Sequence, residues 1–112
     1  MKKVEAIIRP EKLDDVLQAL DGVGYTGITM TEVRGHGRQK GIVQQWRGEE
    51  YKVSMLSKMK IEIVAKDADA EKIKIAIITA ARTGEIGDGK IFIYKIDEVV
   101  KIRTSESGDA AV

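Results

Sequence analysis

The chain has 112 residues, the size of one domain, and its 19 Lys and Arg stand against 18 Asp and Glu for a net charge of +1. It therefore lacks the single-sign field of a general nucleic-acid or anionic-lipid binder, and any anion capture must come from local clustering. It has no Cys and one His, His36, which excludes disulfides, thiolate catalysis and a histidine-rich metal site within one chain. The basic start MKKVEAIIRPEK has an apolar run too short for a secretory core, and no segment approaches the length of a membrane span. The expectation is a cytoplasmic protein with no direct membrane insertion.

Lys2 to Arg9 alternates, with Val4, Ala6 and Ile8 on one side, which is the period of a strand ended by Pro10. Proline suits the first turn of a helix, and Leu13, Val16, Leu17 and Leu20 then recur at helical spacing until Gly22 and Gly24 close it. Gly27 to Arg34, GITMTEVR, reads as a second strand rich in β-branched residues. It leads into Gly35 to Leu56, about twenty residues without a sustained helical or strand period, a length that is uncommon unless functional or disordered.

Lys58 to Lys66, KMKIEIVAK, is the clearest strand, with Met59, Ile61, Ile63 and Ala65 on one face and Lys60, Glu62 and Val64 on the other. Asp67 or Asp69 is placed to cap the helix predicted over Ala70 to Arg82, whose stripe is Ile73, Ile77 and Ala80 or Ala81. A glycine-dense turn, 82–90, then gives way to a strand at Ile91 to Ile96 and a last short one at Val99 to Arg103. Residues 104–112 form a small polar tail, expected to be flexible.

A weak internal repeat aligns EAIIRPEKLDDVLQAL from Glu5 with EIVAKDADAEKIKIAI from Glu62. Two βαβ halves predict an α+β, ferredoxin-like βαββαβ fold, an antiparallel sheet with two helices on one face. The other face would expose Ile7, Val64 and one side of IFIYKI, so a homo-oligomer covering it is expected. RNA-recognition modules share this topology but stack bases on central-strand aromatics, and VEAIIR and KIEIVA have none. No nucleic-acid partner is expected.

The chemical signal is anion capture. Gly84, Gly87 and Gly89 surround Asp88 and Lys90 in TGEIGDGK, where backbone N–H groups and an ammonium can converge on phosphate oxygens. Lys101 and Arg103, spaced by Ile102, would leave the last strand on one face. Charge-assisted bonds of ~1.5–3 kcal/mol each would let three or four such donors hold a polyphosphate at micromolar strength. The alternative is that Lys101 and Arg103 pair with surface acids such as Glu98.

These stretches carry a family resemblance along nearly the whole chain. MKKVEAIIRPEKLDDV, TEVRGHGRQKG, WRGEEY, KMKIEIV, TGEIGDGKIFIYKI and VVKIRT together resemble a PII signal-transduction protein, the TGxxGDGKIF and RGxEY stretches most specifically. The resemblance implies a homotrimeric nitrogen-status sensor, not an enzyme. Its sites lie between subunits and bind ATP or ADP competitively, with 2-oxoglutarate bound beside Mg-ATP. The long stretch at 35–56, the T-loop between the second and third strands of the fold, would switch conformation and dock on an ammonium transporter or on nitrogen-assimilation enzymes and regulators.

Residue by residue, the resemblance places phosphate at Gly35, Gly37, Arg38, Gly87, Gly89 and Lys90, with Lys101 and Arg103 reaching in from the neighbouring subunit, and counts Asp88 among the nucleotide-binding residues. Thr29, Glu62 and Val64 fall where the family holds adenine and ribose, largely through backbone. Gln39 falls at the Mg²⁺ and 2-oxoglutarate position, with Lys58 and the backbone of Lys40 and Gly41 completing the keto-acid site. Tyr51 matches a tyrosine that some relatives nucleotidylylate, and Arg47 an arginine inserted into an ammonium channel. Departures gather in the loop: Trp46 where Tyr is usual, His36 where Phe or a basic residue is common, Ser54 and Ser57 where Asp and Pro are frequent. Glu49 occupies a position where some branches have a phosphorylatable Ser. Two other readings stay open: a slow ATP phosphohydrolase using Lys90 and Arg103, and another trimeric ferredoxin-like small-metabolite-binding protein.

Overall fold

A computed structural model describes residues 1–36 and 55–112 in full and, between them, the backbone of strands at 42–46 and 49–53. In chain order the elements are β1 (Lys2–Ile8), α1 (Leu13–Gly22), β2 (Thr29–Gly35), β3 (Ile42–Trp46), β4 (Glu49–Val53), β5 (Leu56–Ala65), α2 (Ala70–Ala81) and β6 (Lys90–Lys95). Four strands form one sheet in the order β2-β5-β1-β6, every neighbouring pair antiparallel. This is the ferredoxin-like βαββαβ arrangement that the repeat predicts.

Its core follows from the two periods. Alternation places Val4, Ala6 and Ile8 of β1 beside Ile63, Ile61 and Met59 of β5, and the first two of these pairs with Ile8 are sealed from solvent. Val16 and Leu20 of α1 and Ile73, Ile77 and Ala81 of α2 cover that face from above, at helical spacing. Each fully buried Ile, Leu or Val contributes ~1.5–3 kcal/mol, so this small set dominates the favourable side of folding. The Tyr25 hydroxyl, 2.5 Å from Asp69 Oδ2, ties the segment after α1 to the start of α2.

Three expectations are corrected. The stretch between β2 and β5 is not without regular structure, because β3 and β4 form an antiparallel hairpin running from Ile42 opposite Val53 to Trp46 opposite Glu49. Ile42, Val43, Trp46, Tyr51 and Val53 are strand formers, and their preference outweighs the glycine and charge that mask the period. Val99 to Arg103 is not a strand: one bridge joins Val100 to Ser107, and Lys101 N–H donates to Glu106 O and Ser105 N–H to Lys101 O, each at 2.8 Å. That closes a tight turn with Ser105 at φ +60°. Neither Asp67 nor Asp69 caps α2 with its side chain; Asp67 accepts from the N-terminal ammonium at 2.8 Å and Asp69 from Tyr25. Separately from these corrections, the segment after Arg103 carries the other half of that turn and a 3-10 turn at Gly108–Ala111.

The face of the sheet opposite the helices presents Lys3, Glu5 and Ile7 of β1, Lys60, Glu62 and Val64 of β5, and Phe92 and Tyr94 of β6. Phe92 and Tyr94 are 42% and 43% exposed, and β6 is an edge strand. This open face and bare edge are what an oligomer would cover.

Candidate functional site

The glycine-dense turn after α2 is shaped by three positive backbone angles, Gly84 at φ +89°, Gly87 at +105° and Gly89 at +102°. Gly89 has a second reason to be glycine. A Cβ built there would lie 1.7 Å from Ile7 O, because the turn runs flush against the end of β1 before Lys90 pairs with Ile7. The sequence therefore places its last turn glycine where backbone meets backbone.

The turn forms one wall of a cleft of about 700 Å³. Gly87, Asp88, Gly89 and Lys90 line it on one side, Gly35, His36, Leu56 and Lys58 on the other, with Ile7 and Phe92 as an apolar wall. Lys58 is half-buried, and its Nζ donates to Gly87 O at 2.8 Å. Burial lowers its pKa first, and the Arg9 guanidinium lowers it further by like-charge repulsion. A partly desolvated ammonium beside a second cation is a place where an anion is stabilised by both.

Asp88, expected among the nucleotide-binding residues, lines the cleft and is also engaged by the turn itself. Its Oδ2 accepts from the N–H groups of Thr83 and Gly84, each at 2.9 Å, and Oδ1 accepts from the Thr83 hydroxyl. Arg9 Nε donates to Oδ1 at 3.2 Å. These bonds, those from Thr83 foremost, hold the carboxyl far below the usual carboxylate range. Because the folded-state value is depressed, the stability this group lends is complete above its unfolded value of ~3.9 and is lost only as pH falls beyond that toward the folded one. The amide resonances of Thr83 and Gly84, followed by NMR from about pH 6 to about pH 3, should therefore stay steady through that value; a titration midpoint near it would show that the bonds are not kept in solution.

The remaining expected residues divide. Thr29 and Gly35 share β2 but are six residues apart, ~20 Å along a strand, and Val64 stands equally far from Lys58 on β5. Thr29, Glu62 and Val64 do not line the cleft. Glu62 is engaged by Lys3 and, at 3.9 Å, by Lys60, and Lys3 holds its carboxyl below the ordinary value, so a ligand there would meet backbone. Lys101 and Arg103 belong to the exposed turn beyond β6 and do not line the cleft either. Gly37, Arg38, Gln39, Lys40, Gly41 and Arg47 lie outside the described residues, as does the side chain of Tyr51. Among the described residues no group of three or more His, Cys, Asp or Glu could hold a metal ion.

Arg9, Thr83 and Phe92 take part in the site without having been singled out. Arg9 is 79 positions from Asp88, and only the pairing of β1 with β6 brings them together. The one local sign was Arg9 preceding Pro10, which restricts it to extended backbone, observed at φ −64° and ψ 137°.

Residues 1–106 match the family model described as nitrogen regulatory protein P-II. Among similar proteins, nitrogen regulatory protein P-II of Microchaete diplosiphon is 57% identical over 112 residues, covering all of both chains. Nitrogen regulatory protein P-II 2 of Methanothermobacter thermautotrophicus is 55% identical over all of this chain and 97% of that protein. Nitrogen regulatory protein P-II 1 of Escherichia coli K12 is 54% identical over the full length of both.

Proposed function

Since the chain belongs to the nitrogen regulatory protein P-II family, we propose that it is a signalling protein of nitrogen and energy status which binds ATP or ADP, and 2-oxoglutarate together with Mg-ATP, and so switches its T-loop between partners. The observation that carries this is the cleft. Gly87 and Gly89 at positive φ, Lys90, Lys58 and the backbone of Gly35 converge on one volume of about 700 Å³, with Ile7 and Phe92 as its apolar wall. Backbone N–H groups and ammonium groups beside an apolar surface suit a nucleotide, whose phosphates take the donors and whose base takes the wall.

One chain supplies half of such a site. The ~20 Å that separates Thr29 from Gly35 and Val64 from Lys58 is spanned if a second copy brings Thr29, Glu62, Val64, Lys101 and Arg103 to the first copy's cleft. A closed homotrimer places three such junctions equivalently and covers the apolar open face. Mg²⁺ fits as a cation held by Gln39 and phosphate oxygens, neutralising phosphate charge. 2-Oxoglutarate would then take Lys58 and the backbone of Lys40 and Gly41.

The protein acts by selecting conformations rather than by turnover, in keeping with relatives named as regulatory proteins. Asp88 has both oxygens engaged and stays ionised, which makes it a poor proton acceptor for water attack. Mg-ATP with 2-oxoglutarate favours a loop folded over the cleft, ADP a loop free to extend toward an ammonium transporter or a nitrogen-assimilation enzyme, with Arg47 and Tyr51 at the contact. Isothermal calorimetry tests the nucleotide half of this reading. Mg-ATP should bind at micromolar strength and Lys90→Ala should weaken it by at least ~10-fold, the value of one charge-assisted bond. Absence of micromolar binding, or equal binding by the variant, sinks it.

A further inference from the structure

We propose that Arg9 is a positioning residue, a brace that fixes the shape of the Thr83–Lys90 turn from the end of β1. The inference rests on reading that turn as the phosphate-binding wall.

The turn has few internal means of keeping its shape. Glycines at 84, 87 and 89 adopt positive φ, and glycine loses more conformational entropy on ordering than any other residue. Lys58 ties it to β5 through Gly87 O at 2.8 Å, and two further links gather it. Asp88 folds back onto Thr83 and Gly84, closing the turn on itself. Arg9 then reaches across from the other end of the chain, its Nη2 donating to Ile86 O at 2.9 Å and its Nε to Asp88 at 3.2 Å. The guanidinium thus grips the turn at two points two residues apart, and its side chain is only 13% exposed. A planar fork is suited to such a two-point hold, and an ammonium is not. Pro10 sets the extended backbone of Arg9, and Ile8 just before it is buried in the core, so the brace stands next to a packed residue.

The consequence concerns Gly87, Gly89 and Lys90. All three line the cleft on a turn whose Ile86 carbonyl and Asp88 carboxylate are held by Arg9, so the placing of their donors depends on that hold. Arg9 acts through these two residues and needs no contact with the ligand.

The test measures the full-length protein twice, as wild type, Arg9→Gln and Arg9→Lys. In the ligand-free protein, hydrogen exchange should rise for Arg9→Gln within residues 83–90 and stay unchanged in β1, β5 and α2, with the thermal midpoint lowered by no more than about 5 °C. With Mg-ATP, affinity should fall about tenfold for Arg9→Gln and be partly restored in Arg9→Lys, which keeps the charge but not the fork. Lys72→Gln, which removes a surface ion pair on α2, should leave both readings alone. Unchanged exchange in the turn overturns the brace, and so does a loss of affinity that is equal for Gln and Lys or that accompanies exchange spread through the core. Should wild type fail to bind Mg-ATP, the nucleotide reading falls, and the brace stands or falls on the exchange pattern alone.

Discussion

Gly89→Ala is expected to be the most damaging single-methyl change to the turn, lowering stability by about 4 kcal/mol and abolishing nucleotide binding. Two costs add. The backbone at φ +102° is rarely adopted by an L-residue, which costs ~1–3 kcal/mol. The new Cβ would also sit 1.7 Å from Ile7 O, so either the turn or β1 must move, at a cost like that of overpacking, ~1–3 kcal/mol. Neither neighbour is a flexible side chain that could swing away. Against a typical total of 5–15 kcal/mol, the loss should appear as a thermal midpoint lowered by about 15 °C or more. Gly27→Ala is the control, since its Cβ would meet nothing within 4 Å and its φ is ordinary; it should lie close to wild type. Equal denaturation midpoints for the two variants would mean that the flush packing of the turn on β1 is absent in solution.

Mixing subunits should restore a binding site that neither parent has. Lys90 lines the cleft and Arg103 does not, and in the proposed composite site they come from different copies. Lys90→Ala and Arg103→Ala should each weaken Mg-ATP by ~10- to 100-fold, since each removes a charge-assisted contact. Co-assembled from denaturant at equal amounts, they pair at random. Roughly a quarter of the junctions then join the intact Lys90 of one variant to the intact Arg103 of the other in a closed ring. Calorimetry should report that fraction of sites at wild-type affinity. A mixture that binds no better than its parents would place both residues in one subunit's site, or Arg103 in none.

The fold was legible wherever one period ran uninterrupted. Strands β1 and β5 each alternate cleanly, and the α1 stripe of Val16 and Leu20 sits between Pro10 and a glycine pair, so core and topology could be written from side-chain spacing. The β3–β4 hairpin was hidden because its strands are only five residues each and carry Gln, Glu and Lys among the strand formers. The last segment misled in the opposite way. Val99, Val100 and Ile102 have strand composition, but a closed turn with Ser105 at positive φ prevails, and Ile102 is left fully exposed.

The site was legible as far as its glycines. TGEIGDGK announces a turn that presents backbone donors, and the turn does line a cleft. What the spacing could not give was the role of Asp88. A carboxylate among glycines and a lysine reads as a ligand contact, and its bonds to Thr83, Gly84 and Arg9 show that it also shapes the turn. Likewise, Thr29 and Gly35 look adjacent in sequence, yet one strand's rise sets them ~20 Å apart, so the two do not share one chain's cleft.

The central claim is that nucleotide and keto acid meet in one cleft and bias one loop, and a single pair of titrations tests it most directly. 2-Oxoglutarate is titrated calorimetrically into the full-length protein, once with saturating Mg-ATP and once without nucleotide. Coupling through shared phosphate, cation and Lys58 predicts micromolar binding in the first titration and none measurable in the second. Equal affinity in both would contradict it.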